Sequence, residues 1–151
     1  SYTKDPQQLR DELVAVLLAG RDTTAGTLSW AIYELARHPQ VVEKLRTEII
    51  GRIGPTNTPT FEDLNSMHYL QNVLNETMRL YPTLPFNIRF ALKDCTLPCG
   101  GGADGSLAVP VLKGTLVAYS TLAMQRRADL YPTVSSSFAP VDEFDPDRWN
   151  H

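Results

Sequence analysis

The sequence predicts a mainly α-helical fold with a small β portion, and three observations predict it. Apolar residues recur at helical spacing through most of the chain up to Leu80. Prolines and glycines cut those runs into helix-length pieces, and after Pro82 the period shortens to that of strands. Apolar residues make up 42% of the 151, enough for a core, which sets aside a disordered chain. Fourteen basic and 17 acidic residues give a net charge of −3 without a Lys/Arg cluster, so nucleic-acid binding has no support. Two cysteines, Cys95 and Cys99, are too few for a disulfide scaffold. No run approaches the roughly 18 apolar residues of a membrane span.

Asp5-Pro6 reads as the start of the first helix, with Asp as cap and Pro at the first helical position. The apolar stretch from Leu13 to Ala19 is interrupted at Gly20, Asp22, Thr23 and Thr24 before Leu28 and Trp30 resume the pattern. Glycine costs a helix interior about 0.5–1 kcal/mol relative to alanine. Threonine hydroxyls can bond the carbonyl four residues back and bend the helix. Asp22 and Thr23, adjacent in sequence, project about 100° apart and flank one spot. A bend there could hold water or a small ligand; the same residues also fit a solvent-facing polar turn. Pro39 breaks the helix after Arg37-His38. A second amphipathic helix follows, with Val41, Val42, Leu45 and Ile49 on one face and Gly51 as its stop.

Residues 53–60 form a Pro/Thr/Gly loop, and Thr60-Phe61-Glu62-Asp63 resembles a capped helix start. The next helix covers residues 67–80, with Leu70, Val73, Leu74 and Thr77 inward, and Tyr81-Pro82 ends it. Residues 86–92 and 116–122 are rich in β-formers, with a glycine-rich turn at 98–105 between short strands. The sheet is expected to continue outside the given sequence, which reads as a fragment.

Glu76 and Arg79 sit three apart on a helix, within reach of each other. Arg148, in an irregular Pro/Asp-rich segment, needs pinning to something. A buried Glu76 bonded by both arginines would satisfy its lone pairs.

These residues carry a resemblance. Ala19-Gly20-Arg21-Asp22-Thr23-Thr24 resembles the oxygen-activation motif of the cytochrome P450 haem-thiolate monooxygenases. Glu76-x-x-Arg79 looks like that family's E-x-x-R motif, and Pro146-Asp147-Arg148-Trp149 like its P-E-R-F element. The likeness covers essentially the whole chain, residues 1–151, as part of the C-terminal third of such an enzyme. Thr96-Leu97-Pro98-Cys99-Gly100-Gly101-Gly102 is similar to fungal alkane and fatty-acid hydroxylases of the family.

The resemblance implies a partial cytochrome P450 fold and a haem b cofactor, with NADPH-supplied electrons arriving through a cytochrome P450 reductase. It implies O₂ insertion into an apolar C–H bond at the endoplasmic-reticulum membrane. The first helix would cross the haem, with Ala19 and Gly20 at the O₂ position and Asp22 and Thr23 relaying protons to it. A thiolate ligand pushes electron density toward oxygen, but cleavage of the O–O bond still needs proton delivery in a site closed to bulk water. Arg89 would pair with a haem propionate, though it also reads as an exposed strand cation. Leu17, Leu84, Pro85 and Phe86 would line the substrate pocket, and Glu76, Arg79 and Arg148 would be structural.

The family's iron ligand is a cysteine in a Phe-x-x-Gly-x-Arg-x-Cys-x-Gly loop, which does not occur in this sequence. Cys95 and Cys99 lack that context, and His38, His68 and His151 form no ligand cluster, so no metal ligand is assigned. The 151 residues alone are expected neither to hold haem tightly nor to turn over substrate. Two other readings stand beside this one: a family member that rearranges peroxides without O₂ or reductase, and a non-catalytic helical ligand-binding module.

Overall fold

The computed structural model describes residues 5–135 and 138–150; His151 lies outside them. Its longest element is α1 (Pro6–Arg37), 32 residues of continuous α-helix. The Asp5 carboxylate accepts the Gln7 N–H at 2.9 Å, and Pro6 occupies the first turn, where a missing amide costs nothing. The polar interruption is absorbed within the helix: the hydroxyls of Thr23, Thr27 and Ser29 donate to the carbonyls of Ala19, Thr23 and Ala25 at 2.7, 3.0 and 2.8 Å.

Pro39 ends α1 and opens α2 (Pro39–Ile53). The stop expected at Gly51 is corrected: α2 runs through it and closes at Gly54, whose φ of +78° is left-handed and whose N–H donates to Ile50 O at 2.8 Å. A glycine inside a helix costs only about 1 kcal/mol. Gly54-Pro55 instead supplies both the left-handed turn and a residue that cannot continue the helix.

A capping box starts α3 (Phe61–Ser66), as the sequence suggests: Thr60 Oγ1 accepts the Asp63 N–H at 3.2 Å, and Asp63 Oδ2 accepts the Thr60 N–H at 3.0 Å. That amide, then the Thr60 hydroxyl, hold the Asp63 carboxyl below the usual carboxylate range. α4 (His68–Leu80) has no cap of its own, since Met67 offers no side-chain acceptor. Glu48 of α2 takes that part, its two oxygens accepting the N–H groups of Tyr69 and Leu70 at 2.8 and 2.9 Å.

Beyond Pro82 the chain forms two antiparallel pairs, β1 (Phe86–Phe90) with β4 (Leu116–Ser120) and β2 (Cys95–Gly101) with β3 (Leu107–Val111). Three boundaries differ from expectation, the first being the strand placed at 86–92, which ends at Phe90. The turn placed at 98–105 is shorter, because β2 continues through Pro98 to Gly101 across a register shift between Leu97 and Gly101. An irregularity at that point accommodates a proline, which has no N–H for the ladder. The strand placed at 116–122 stops at Ser120, whose Oγ accepts the Ala123 N–H at 3.1 Å and starts α5 (Thr121–Met124). The segment around Arg148 is also more regular than expected, a 3-10 helix (Pro146–Trp149) capped by Asp145.

The core lies where α1's C-terminal half, α2 and α4 meet: Val41, Tyr69, Val73, Leu80 and Phe144, flanked by Leu35, Leu45 and Tyr81. The N-terminal half of α1 has no such cover; Leu13, Val16 and Leu17 are 65%, 70% and 68% exposed.

Candidate functional site

Glu76 sits on the buried face of α4 with no solvent exposure at all. Arg79 lies one turn along the same helix and grips both of its oxygens: Nε donates to Oε2 at 2.7 Å and Nη2 to Oε1 at 2.8 Å. Arg148 Nε donates to Oε1 at 3.3 Å, the Asp145 N–H to Oε1 at 3.0 Å and the Trp149 indole to Oε2 at 3.0 Å. The two guanidiniums then spend their remaining donors on backbone carbonyls. Arg79 binds those of Gln125, Val141 and Glu143, and Arg148 those of Ala139 and Pro140. The Tyr131 ring lies near both cations, its centroid 5.5 and 5.6 Å from their central carbons. Burial works against the charge on Arg79, but the hydrogen bonds and charge of Glu76 outweigh it and raise its pKa above the ordinary value. One carboxylate thus fixes an irregular chain that has few backbone bonds of its own. Trp149 and Tyr131 were not singled out from sequence, although Trp149 directly follows Arg148.

On α1, Ala19 and Gly20 are exposed, and a Cβ added at Gly20 would meet nothing within 4 Å. Thr23 is half-buried, with its hydroxyl proton directed at Ala19 O; Asp22 is exposed and makes no side-chain hydrogen bond or ion pair among the described residues. An open step in the helix surface therefore stands next to a hydroxyl and a free carboxylate.

The segment after α4 is pinned at its far end. Thr121 Oγ1 donates to Leu84 O at 2.7 Å and Ser120 Oγ to Pro85 O at 3.3 Å. Leu84 and Phe86 are each 65% exposed, and Pro85 is half-buried. Arg89 and Asn87 alternate with Phe86, Ile88 and Phe90 along β1, so the two polar residues share a face. The exposed Arg89 guanidinium donates through Nη1 to Asn87 Oδ1 and to Ile88 O, and its other nitrogens remain open to an anion.

A flat, carboxylate-bearing macrocycle such as haem fits some of these features. The open step at Gly20 leaves room for close approach, and Arg89 suits an acidic substituent. Its iron is another matter: Cys95 and Cys99 are free and exposed on β2, and the described residues hold no group of three or more His, Cys, Asp or Glu that could bind a metal.

A buried cluster that sequence reasoning missed joins α1 to the end of α4. Glu34, only 1% exposed, accepts from the Tyr81 hydroxyl and from Arg37, and its Oε2 lies 3.3 Å from His38 Nδ1. Tyr81 stacks on Trp30 with ring centroids 4.1 Å apart and planes 2° from parallel. The one available signal was an acid on the same helical stripe as Ala31.

A long helix carrying the α1 motif, packed on a second helix whose buried glutamate is held by two arginines, has counterparts among known proteins. The cytochrome P450 family model matches residues 3–151, and the chain belongs to that family. It is 58% identical to the cytochrome P450 monooxygenase pvhE of Talaromyces variabilis over 99% of this chain and 28% of that protein. It is 47% identical to cytochrome P450 52A13 of Debaryomyces hansenii over 97% of the chain and 28% of that relative. Among solved structures, a zebra fish cytochrome P450 with progesterone superposes with a TM-score of 0.71 at 30% identity, over 87% of this chain and 27% of that one. The chain therefore spans a little over a quarter of the length of the curated relatives it matches.

Proposed function

We propose that these residues are one portion of a haem-dependent monooxygenase that inserts one atom of O₂ into an apolar C–H bond, with an alkane or fatty acid as substrate. The observation that carries this reading is the juxtaposition on α1 of an open surface at Gly20 with the half-buried Thr23 hydroxyl and the free Asp22 carboxylate. Haem b, bound through a cysteine supplied outside these residues, would provide O₂ binding and the redox chemistry, with electrons from NADPH through a cytochrome P450 reductase.

The chain's own residues have separable tasks. Asp22, exposed to water, takes up a proton and presents it beside Thr23. The Thr23 hydroxyl would rotate away from Ala19 O, donate its own proton over Gly20 and regain one from Asp22. Arg89 binds a propionate of the cofactor and orients it. Leu17, Leu84, Pro85 and Phe86 are apolar and mostly uncovered, and they offer an aliphatic substrate the surface it requires. Glu76, Arg79 and Arg148 touch no substrate; they hold the segment that precedes the iron-ligand loop. The isolated 151 residues would bind haem weakly and turn over nothing.

Likeness to fungal relatives supports the endoplasmic-reticulum membrane as the location, although no helix among the described residues is long and apolar enough to cross a membrane. The test is NADPH- and O₂-dependent oxidation of a fatty acid by the full-length protein with a reductase. Product formed from a hydroperoxide without NADPH would favour a peroxide isomerase instead.

A further inference from the structure

α1 contains a second interior glycine, Gly26, and its surroundings differ from those of Gly20. A Cβ placed on Gly26 would lie 3.2 Å from Thr83 Cγ2, inside ordinary van der Waals contact. Thr83 gives way only by carrying its segment with it. Prolines flank the Thr83-Leu84 pair at 82 and 85 and fix φ there. Upstream, Tyr81 is stacked on Trp30 and hydrogen-bonded to the buried Glu34; burial first, then that bond, push its hydroxyl pKa up to about 12. Arg126 Nη2 donates to Leu80 O at 2.7 Å just before it. Downstream, the carbonyls of Leu84 and Pro85 are tied to Thr121 and Ser120. The segment is therefore clamped at both ends, with its midpoint resting on the backbone of α1.

We propose that Gly26 is a specificity-determining residue: its missing side chain sets how closely the Thr83–Phe86 segment approaches α1, and so the width of the apolar site between them. An alanine would be the better residue for the helix by about 0.5–1 kcal/mol, so propensity does not account for a glycine here. The cleft beside the contact, lined by Thr23, Thr27, Leu28, Met78 and Thr83, places this gauge on the same helix face as the candidate relay hydroxyl. The inference rests on the proposal that Leu84, Pro85 and Phe86 line a substrate pocket.

The test uses the full-length haem-loaded protein with dodecanoic acid and its methyl-branched isomers as probes, reading dissociation constants from the ligand-induced spectral shift. Gly26→Ala pushes the segment outward and should change the branched-to-straight affinity ratio about tenfold in favour of the branched acids, the scale of one methyl in an apolar pocket. Thr83→Ser removes the opposing methyl, and in Gly26→Ala/Thr83→Ser the ratio should return to within about twofold of wild type. A change acting only through helix stability would not be rescued this way. Ratios unaltered in Gly26→Ala, or altered but not rescued in the double variant, would overturn the gauge while leaving the pocket intact. A wild-type protein that shows no spectral shift with any of these acids would overturn the pocket reading, and the gauge with it.

Discussion

Replacing Glu76 by alanine removes the acceptor for five hydrogen bonds, from Arg79 Nε and Nη2, Arg148 Nε, Asp145 N and Trp149 Nε1. Both guanidiniums keep their carbonyl partners but lose the carboxylate, the only negative charge they bond among the described residues. Breaking such a buried pair by deleting one partner costs about 3–5 kcal/mol. The Asp145 amide and the Trp149 indole add to this, each by about 1 kcal/mol because both are partly exposed and water can replace the lost acceptor. The sum, about 5–7 kcal/mol, rivals the whole stability of a small domain, about 5–15 kcal/mol. Glu76→Gln should lose nearly as much, because its NH₂ faces N–H donors whichever way the amide turns. The assay is the carbon-monoxide difference spectrum of the full-length protein, alongside a urea titration. Both variants should fail to incorporate haem or do so with a sharply lowered midpoint. A normal spectrum and an unchanged midpoint in Glu76→Ala would refute the idea that one carboxylate holds this segment in place.

Other perturbations have smaller, distinct outcomes. Glu48→Ala should lower stability by about 1–2 kcal/mol in denaturant titration, since two amides at the start of α4 lose their acceptors and the helix dipole its counter-charge. Arg79→Lys should impair haem incorporation despite conserving charge, because an ammonium cannot span both Glu76 oxygens and three carbonyls; normal haem content would count against the fork. Burial holds the Tyr69 and Tyr81 hydroxyls protonated up to about pH 12, against 10 for a free tyrosine. The folded state then binds more protons than the unfolded one, so this contribution is complete below pH 10 and fades as pH climbs toward 12. Tyr81→Phe should flatten that decline in the urea midpoint, and an identical slope in the variant would oppose it.

Much of the fold was legible because it rests on local chemistry. Asp5-Pro6, Pro39 and the Thr60/Asp63 box each act over a few residues, and each begins a helix where the sequence places one. The errors came where two local signals competed. Gly51 looked like a stop, but Gly54 stands next to a proline and can close the helix with a left-handed turn. Ser120 carries strand-forming neighbours on one side and caps a helix on the other. Spacing could bring Glu76 and Arg79 together on one helix, whereas Arg148 meets Glu76 across 72 residues, a pairing expected only because its irregular segment needs an anchor and because of the motif. The contacts that were not legible are all long-range: Glu48 capping another helix, Tyr81 bonded to Glu34, and Thr83 seated on Gly26. Nothing in the local text of either partner announces them. The leucines of α1 were legible as apolar, and among the described residues nothing covers Leu13 or Leu17.

In the proposed reaction α1 delivers protons through Asp22 and Thr23 during O₂ reduction. The direct measurement is product and hydrogen peroxide formed per NADPH in the full-length protein and its Thr23→Ala variant. The relay predicts that peroxide rises severalfold at the expense of oxidised substrate while NADPH consumption continues. Product per NADPH that is the same in both proteins would contradict it.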